Sequence, residues 1–545
     1  MSEPDRRGIT RRGLAKSAVF AAGGLALGAD RASAHGAGHG PHPHKPEEFD
    51  DDIALVNGNI ITLDERDSRA SSIAIRAGRI VEVGRGRGVR ACKRTIDLKG
   101  ATVVPGLIDS HQHFMRACHN PGHEVRAIEA ATTVAELQQA ISDRAKTVPV
   151  GEFITCIGGW NRNGLAEKRL PTPGELDAAA PLHPVYLSET GGGGQAVTNT
   201  AGRAFFTAAG VAVDATTGTL PTGPARTALN AAQTADDKRR GTAEGIAWVA
   251  SLGLTTIADQ GGAPFADWKY AVDLWNDGEL DVRLRQFFTG FDFPTLDGIK
   301  TFILNNHRRL GDERLRVVGV GERITSGTPS EATVLEAGLF CAERGWTMVL
   351  HSLSATENQA HVNAYKAVAQ QYDIAALRFQ LHHINDITPA LLSEIAALGI
   401  PVGIQGWRYT SASGGAPFRS ALDLGITVGG GTDATNVAAQ NPWLVIYHMV
   451  TGRNNAGVVT NDGQQISRPQ ALRVYTGGSA YLTGDEEDLG TLEEGKLADL
   501  AVLSDNYLKV PDERIKKLRS DLTLQGGRVV HASGRFSKLG RTAAG

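Results

Sequence analysis

The sequence predicts an α/β fold in which a parallel (β/α)8 barrel carries a small β-sandwich built from both ends of the chain. Apolar, strand-like runs recur along the chain, beginning near Leu254, Arg283, Leu315, Thr347, Phe379, Val402 and Thr427. Their spacings of 29, 32, 32, 32, 23 and 25 residues are typical of repeated βα units. A further strand at Val103 brings the number to eight, the number that closes a parallel barrel. The intervening sequence favours helices, as in residues 331–343 and 389–398.

Both ends of the chain carry short strand patterns instead of βα units. The N-terminal patterns are residues 53–58, 60–63, 73–83 and 95–98, and the C-terminal ones are 497–503, 521–527 and 528–531. Residues 73–83 are typical of a hairpin with its turn at Ala77-Gly78. We therefore assign residues 51–102 and 488–537 to one β-sandwich and residues 103–487 to the barrel.

The segment between the first two barrel strands is far longer than one βα unit. It has strand patterns of its own at residues 153–158 and 184–187. We predict an insertion at about 120–245 that forms a lid or a specificity subdomain.

Residues 1–34 resemble a twin-arginine export signal. Paired arginines, Arg11 and Arg12, precede an apolar run over residues 17–28 that is too short for an ordinary membrane span, and Ala32-Ser33-Ala34 provides a cleavage pattern. Residues 35–50 hold four histidines among glycines and prolines, a composition that favours a disordered lead-in over a metal-capturing tract. We expect an exported protein, periplasmic or extracellular, that uses the twin-arginine export machinery.

Composition excludes several classes of partner and fold. The chain has 545 residues, 41% hydrophobic and 21% charged, with a net charge of −3, as expected of a globular protein. This mild acidity argues against nucleic acid or an anionic membrane as a partner of the mature protein, and a homodimer stays open. Four cysteines without paired spacing indicate neither a disulfide framework nor a zinc ribbon.

Residues able to bind a metal ion follow five of the predicted barrel strands. His111 and His113 are one residue apart at the end of the first strand, where alternating side chains point the same way. The others are Glu322 after the fourth strand, His351 after the fifth, His382 and His383 after the sixth, and Asp433 after the eighth. Each alone is compatible with a hydrogen-bonded core histidine or a helix-capping aspartate. Because the carboxyl ends of barrel strands meet at one face, the whole set predicts a metal site.

The residue types suit hydrolytic metal chemistry. Neutral imidazoles and carboxylates favour zinc and related divalent ions. A catalytic ion keeps one position open for water and lowers the pKa of that water to about 7. Asp433 is placed to take a proton from such a water and to hand it to a leaving nitrogen.

Five motifs carry a family resemblance over nearly the whole mature chain. They are PGLIDSHQH (105–113), PTPGELDAAAPLHPVYL (171–187), LHHI (381–384), GGGTDA (429–434) and GTLEEGKLADLAVL (490–503). Together they resemble the amidohydrolase superfamily, and within it the family 3 branch that contains N-substituted formamide deformylase and related exoenzymes. The resemblance implies a (β/α)8 barrel flanked by a β-sandwich, with one or two divalent ions, zinc foremost.

The resemblance also implies roles for individual residues. His111 and His113 would bind the more buried ion together with Asp433, and His351 and His383 would bind a second ion. In members with one metal ion, His351 joins the first ion and His383 contacts hydroxide or substrate.

The sequence departs from the branch at three places. The strand-four lysine that bridges two ions in many relatives is absent, and Glu322 either bridges in its place or is a surface residue. The Gly-Asp that follows the strand-five histidine in relatives is absent after His351. Gln195, after the glycine run 191–194, stands where the branch often has Gly-His, so the substrate of the deformylase does not transfer.

Several further residues have two interpretations. His119 and His123 either line the pocket or belong to a flexible loop, and Asp259 is favoured as structural. Aromatic residues that either shape a hydrophobic substrate pocket or serve packing are Trp160, Trp407 and Tyr409. The glycine run 191–194 lacks the Lys-Ser/Thr of a phosphate loop, and the chain lacks a Gly-x-Ser-x-Gly nucleophile elbow.

We therefore predict an exported, metal-dependent amidohydrolase that cleaves a carbon–nitrogen bond of a small-molecule amide. Asp433 and His383 are the predicted catalytic residues, and the predicted metal ligands are His111, His113, Glu322, His351, His383 and Asp433. One alternative is a mononuclear deaminase or cyclic-amide hydrolase on the same scaffold. Another is a non-catalytic metal- or ligand-binding barrel, against which the intact Asp433 counts. The number of bound ions separates the first alternative from a binuclear amidase.

Overall fold

An eight-stranded parallel sheet forms the centre of the computed structural model, which describes residues 52–85, 92–190 and 195–540. The predicted export signal, the histidine-rich lead-in and the glycine run 191–194 lie outside these residues, as does the side chain of Trp407. The barrel strands follow one another in chain order. They are β1 (Leu107–Gln112), β2 (Leu254–Asp259), β3 (Arg283–Phe288), β4 (Leu315–Val320), β5 (Thr347–Ser352), β6 (Gln380–His383), β7 (Val402–Gln405) and β8 (Val428–Gly431).

Hydrogen bonds across the seam between β8 and β1 bring the ends of the sheet together. The backbone N–H of Asp433 donates to the carbonyl of His111 over 2.9 Å. The Thr432 hydroxyl donates to the buried Asp109 carboxylate over 2.6 Å, and Asp109 also accepts from the backbone N–H groups of His111 and Thr432. Burial raises the pKa of Asp109 to about 6, although these hydrogen bonds act in the opposite direction. The predicted barrel fold is confirmed.

Helices connect the barrel strands, as predicted. Those of the barrel are Phe114–Cys118, Ala235–Ser251, Lys269–Asn276, Leu296–Asn305, Glu331–Glu343, Ala355–Ala369, Pro389–Leu398, Phe418–Asp423 and Pro442–Thr451. The helices predicted at 331–343 and 389–398 are confirmed with the same bounds. Their first turns are capped by the hydroxyls of Ser330 and Thr388, and Gly399, with a φ of 65°, ends the second.

Alternation along the strands separates an inner from an outer layer. A small cluster inside the barrel consists of Ala258, Phe287, Val318 and Val349, while the neighbouring strand residues join the large core between strands and helices. Because successive side chains point to opposite faces, His351 shares the inner face with Val349. The alternation along β5 therefore turns the side chain of His351 toward the inside of the barrel mouth.

The short strands from both chain ends form two sheets around one apolar core. In spatial order, the six-stranded sheet consists of Arg528–Ala532, Ser520–Gln525, Leu500–Leu503, Thr102–Pro105, Asn59–Ile61 and Arg69–Ala70. The four-stranded sheet consists of Arg79–Gly84, Ser72–Arg76, Ile53–Val56 and Arg94–Asp97. The predicted hairpin turns at Ala77 and Gly78, whose φ angles of 48° and 74° match the positive values of a type I′ turn. The predicted sandwich from both ends is confirmed.

The apolar run that begins at Val103 forms two strands, whereas one was predicted. Thr102–Pro105 pairs with Leu500–Leu503 and Asn59–Ile61 in the six-stranded sheet, and β1 starts only at Leu107. Gly106 lies between them, and a Cβ at this position would be 2.3 Å from Thr255 Oγ1. The chain therefore passes from one sheet to the other at a residue without a side chain, and the first barrel strand begins at Leu107.

Between β1 and β2 the chain builds a separate five-stranded sheet. In spatial order its strands are Thr219–Leu220, Ala196–Thr198, Val185–Ser188, Ile154–Ile157 and His123–Glu124. The helices of this region are Val134–Ala145, Pro173–Ala179, Thr200–Ala208 and Thr222–Ala232. The region has apolar clusters of its own, and its role as a lid stays a prediction.

The remaining elements are short and follow the barrel or link its parts. The α-helices are Arg468–Arg473, Ser479–Thr483 and Asp512–Ile515, with a π-helical turn at Val474–Gly478. The 3-10 turns are Arg126–Ala130, Arg162–Gly164, Phe265–Trp268, Trp407–Thr410 and Gly534–Leu539. Within residues 52–85, 92–190 and 195–540, no helix combines the length and apolarity needed to cross a membrane.

Buried ion pairs fasten the barrel to the C-terminal part of the chain. Arg283 on β3 makes two hydrogen bonds to Asp499, of 2.9 and 3.0 Å. Arg285 on the same strand makes two to Asp485, of 2.7 and 3.1 Å, and Arg316 adds a third at 3.2 Å. Arg285 is 1% exposed and Asp485 is 4% exposed, so removal of the Asp485 carboxylate leaves the charge of Arg285 buried without its partner.

The Arg285–Asp485 pair provides a stability test of this attachment. We expect Asp485→Ala to destabilise the fold by about 3–5 kcal/mol, because the buried Arg285 and its neighbour Arg316 lose the carboxylate that they share. The measurement is the urea-unfolding midpoint at neutral pH. Asp143→Ala, which removes an exposed pair with Lys146, is the control and should leave the midpoint nearly unchanged. Equal midpoints for the two variants would contradict the assignment.

Candidate metal centre

The predicted metal ligands converge at the carboxyl ends of the barrel strands. His111 lies within β1 and His113 directly follows it, and both side chains are buried. The Nε2 atoms of both imidazoles lie 3.5 Å from Asp433 Oδ1, beyond the end of β8. The predicted alternation along the first strand therefore directs both histidines to one carboxylate.

Glu322 lies between two pairs of histidines. Its Oε2 is 2.8 Å from His351 Nδ1 and 2.9 Å from His383 Nε2. Its Oε1 is 3.3 Å from His113 Nε2, and its Oε2 is 3.6 Å from His111 Nε2. Because Glu322 is 4% exposed, the interpretation of this residue as a plain surface glutamate is wrong.

The surrounding imidazoles hold both carboxylates in the ionised form. Burial alone would raise the pKa of Asp433, but the adjacent imidazoles of His111 and His113 and the charge of His383 outweigh it and lower that pKa. Burial likewise acts to raise the pKa of Glu322, and its histidine neighbours lower it well below the usual range. Two buried anions at one point form an environment that favours a cation.

The donor set fits one or two divalent ions. Ligand atoms within 4.8 Å of one another form two groups, His111 with His113 and Asp433, and His111 with Glu322 and His383. His111 Nε2 is buried and has no hydrogen-bond partner among the described residues, which leaves its lone pair for a ligand. Imidazole nitrogens with carboxylate oxygens are the donors that zinc and similar ions prefer.

Neighbouring groups fix the orientation of the candidate ligands. His113 Nδ1 is 2.9 Å from the carbonyl of Gly261, which accepts a hydrogen bond from Nδ1–H and leaves the lone pair of Nε2 toward the site. The backbone N–H of His383 donates to Gln405 Oε1 over 2.8 Å, and that of His351 donates to the carbonyl of Glu322 over 2.8 Å. These contacts hold the strand ends in register around the two carboxylates.

Two contacting residues were not assigned roles from the sequence. His382 lies behind His111, with the two Nδ1 atoms 2.6 Å apart, and does not face the carboxylates directly. The His-His pair at the end of β6 was a signal for it, although alternation does not tell which of the two faces the ion. Gln405 on β7 carried no recognisable signal, because its role depends on a backbone contact with β6.

His119 and His123 have packed side chains and lie outside the candidate ligand groups. His119 Nε2 is 3.1 Å from Thr242 Oγ1, and burial lowers the pKa of His119 to about 4. His123 is 3% exposed and its Nε2 is 2.6 Å from Glu152 Oε2. Both side chains are therefore packed against the insertion and the helix before β2, away from the candidate ligands.

The remaining candidates have structural contacts. Asp259 accepts hydrogen bonds from the backbone N–H groups of Met115 and Gly261, so its favoured structural interpretation agrees with its contacts. Trp160 is buried in the core of the insertion, and Tyr409 packs against Tyr447. Gln195 accepts a hydrogen bond from Arg162 over 2.9 Å. None of these contacts involves a candidate metal ligand.

Known proteins resemble this chain in sequence and fold. The model of a family described as the amidohydrolase family matches residues 94–531. N-substituted formamide deformylase of Arthrobacter pascens is 23% identical over 525 residues, which cover 86% of this chain and 96% of that protein.

Two solved structures show the likeness of fold. An uncharacterized metal-dependent hydrolase from Pyrococcus horikoshii has a TM-score of 0.57 at 19% identity, covering 84% of this chain and 99% of that one. Atrazine chlorohydrolase from Arthrobacter aurescens, in complex with zinc, has a TM-score of 0.55 at 18% identity, covering 89% and 98%. Since the family match spans most of the sequence, the chain belongs to the amidohydrolase family, whose members are metal-dependent hydrolases acting on carbon–nitrogen bonds.

Proposed function

We propose that the protein hydrolyses a small-molecule amide at a binuclear metal centre in which Glu322 is the bridging ligand. The position of Glu322 carries this proposal. Its Oε1 is near His113, at 3.3 Å, and its Oε2 is near His351 and His383, at 2.8 and 2.9 Å. One carboxylate between two histidine pairs supports a shared ligand in place of the lysine of many relatives.

Zinc is the metal that the donor set favours. The first ion would be held by His111, His113 and Asp433, and the second by His351 and His383. Imidazole with carboxylate is a typical zinc environment, and the chlorohydrolase of similar fold is described in complex with zinc.

Asp433 is the proposed proton carrier of the reaction. A bound divalent ion would supply an activated water and polarise the amide carbonyl. The carboxylate of Asp433, kept ionised beside His111 and His113, accepts the proton of the attacking water and returns it to the departing nitrogen. The hydrogen bond from its backbone N–H to His111 holds it in place for both transfers. With a single ion, His383 would instead contact the substrate.

The substrate class that we propose is a linear or aryl-substituted amide. The Arthrobacter pascens relative is a deformylase of N-substituted formamides, and its identity of 23% supports the bond type more than the substrate. Phe291 lies beside the centre, 44% exposed, with its ring 6.4 Å from that of His113. An exposed aromatic ring next to a metal centre supports an apolar substituent on the amide.

We also propose that the protein is exported by the twin-arginine route to the periplasm or beyond. This proposal rests on Arg11, Arg12 and the cleavage pattern at Ala32-Ser33-Ala34, outside the described residues. It predicts that an Arg11→Lys, Arg12→Lys double variant accumulates uncleaved inside the producing bacterium. Immunoblots of cytoplasmic and periplasmic fractions test it. Normal export of the double variant, with a Lys93→Arg variant as control, would refute the proposal.

Removal of the bridging carboxylate tests the number of ions. We expect wild-type protein loaded with zinc to hold about two ions per chain and Glu322→Gln to hold about one, because a neutral amide is a poor bridge between cations. Elemental analysis after removal of loose metal provides the count. Glu336→Gln, at an exposed ion pair with Lys300, is the control and should keep both ions. About one ion in the wild type, with release of ammonia, would instead favour the mononuclear deaminase.

Replacement of the proton carrier tests the mechanism. We expect Asp433→Asn to lower the rate of hydrolysis by about 10²- to 10⁴-fold while most of the metal is retained, because asparagine coordinates weakly but accepts no proton. The assay measures release of primary amine from a panel of aryl and alkyl formamides and acetamides. Asp423→Asn, at an exposed position on the helix Phe418–Asp423, serves as the control. Unchanged turnover with normal metal content would remove Asp433 from the mechanism.

A further inference from the structure

His382 is fully buried and stands one layer behind the candidate centre. It is the third residue of β6, and its ring fills the space beside Gly403 on β7, where a Cβ would lie 2.5 Å from His382 Nε2. Its two ring nitrogens contact different partners, His111 Nδ1 at 2.6 Å and Gln380 Oε1 at 2.9 Å. Since both nitrogens are occupied, His382 is not itself a metal ligand.

The direction of this hydrogen-bond chain is set at its far end by a backbone carbonyl. The carbonyl of Leu482 can only accept, and it lies 2.7 Å from Gln380 Nε2. The amide of Gln380 is therefore oriented with its oxygen toward His382, and that oxygen requires a donor. His382 Nε2 supplies the proton.

The same logic continues to the metal ligand. A neutral imidazole carries one proton, so a protonated Nε2 leaves His382 Nδ1 as an acceptor. His111 Nδ1, 2.6 Å away, must then be the donor. With its proton on Nδ1, His111 has its lone pair on Nε2, the atom that lies 3.5 Å from Asp433 and 3.6 Å from Glu322.

We propose that His382 is a positioning residue that fixes the tautomer and the ring orientation of His111 as a metal ligand through the chain Leu482–Gln380–His382–His111. This inference rests on the proposed metal centre and adds a residue to it. The backbone carbonyl of Gly261 fixes the tautomer of His113 in the same way. Outer partners of metal-binding histidines have effects of about 10- to 100-fold on metal affinity.

The test compares two replacements of similar size at position 382. His382→Leu removes the acceptor for His111, and we expect a loss of zinc affinity of about 10- to 100-fold. His382→Asn can place its side-chain oxygen near the position of Nδ1, and we expect it to recover most of the affinity. Zinc affinity is measured on the whole protein by competition with a chromogenic chelator, without any substrate.

A matched control separates positioning from simple loss of a buried histidine. His448 is 1% exposed, its Nδ1 is 3.0 Å from the carbonyl of Arg453 and its ring lies against Phe418, neither of which is a candidate ligand. His448→Leu should leave the zinc affinity within about 2-fold of the wild type if the effect at position 382 is specific. The thermal midpoint of each variant reports its folding.

A second variant keeps the proposal testable if His382→Leu does not fold. Gln380→Met removes the link that orients His382 without touching His111, and we expect a smaller loss of zinc affinity, about 3- to 10-fold. Wild-type affinity in folded His382→Leu or Gln380→Met protein, or no recovery in His382→Asn, would overturn the role of His382. A wild-type protein that binds no divalent ion would instead overturn the proposed metal centre itself.

Discussion

Two buried carboxylates, Glu322 and Asp433, impose the charge requirement around which the mouth of the barrel is organised. An uncompensated carboxylate in such a place is costly, so positive charge must accompany the pair. Burial acts to lower the pKa of His113, yet the hydrogen bonds that His113 donates to Asp433 and Glu322 raise it to about 10. A divalent ion satisfies the same carboxylates and uses the histidines in their neutral form. One electrostatic requirement thus accounts both for the crowding of histidines and for a site that suits a divalent ion.

This charge requirement is met only because the barrel brings distant strands together. Asp433 reaches His111 through the seam between β8 and β1, where Thr432 donates to the buried Asp109. At other positions along the same sheet, Arg283 and Arg285 tie β3 to Asp499 and Asp485 in the C-terminal part of the chain. The ligand set therefore depends on fold closure, and loosening of the seam would separate Asp433 from His111 before any ligand is changed.

Strand periodicity predicted most of the barrel because each βα unit repeats the same apolar pattern, and the parallel geometry of the strands then placed their ends together. The division at Gly106 is marked in the sequence only by Pro105-Gly106, a turn-forming pair inside the apolar run from Val103 to Ile108, while the pairing partners of the two strands lie far along the chain. The burial of Glu322 and the position of His382 behind His111 could not be predicted from the sequence. Both depend on which of several inward positions faces the carboxylates, and sequence spacing does not contain that information.

The candidate metal ligands and the insertion lie on different parts of the chain and meet at one loop. The candidate ligands stand on strand ends, whereas the insertion contacts the loop that follows Asp433. Glu129 of the insertion accepts hydrogen bonds from the backbone N–H groups of Gln440 and Asn441. Gly158 approaches the same loop so closely that a Cβ there would be 2.2 Å from the carbonyl oxygen of Asn436. Because loops vary on a constant scaffold, a relative at 23% identity can share the hydrolytic centre while its substrate differs.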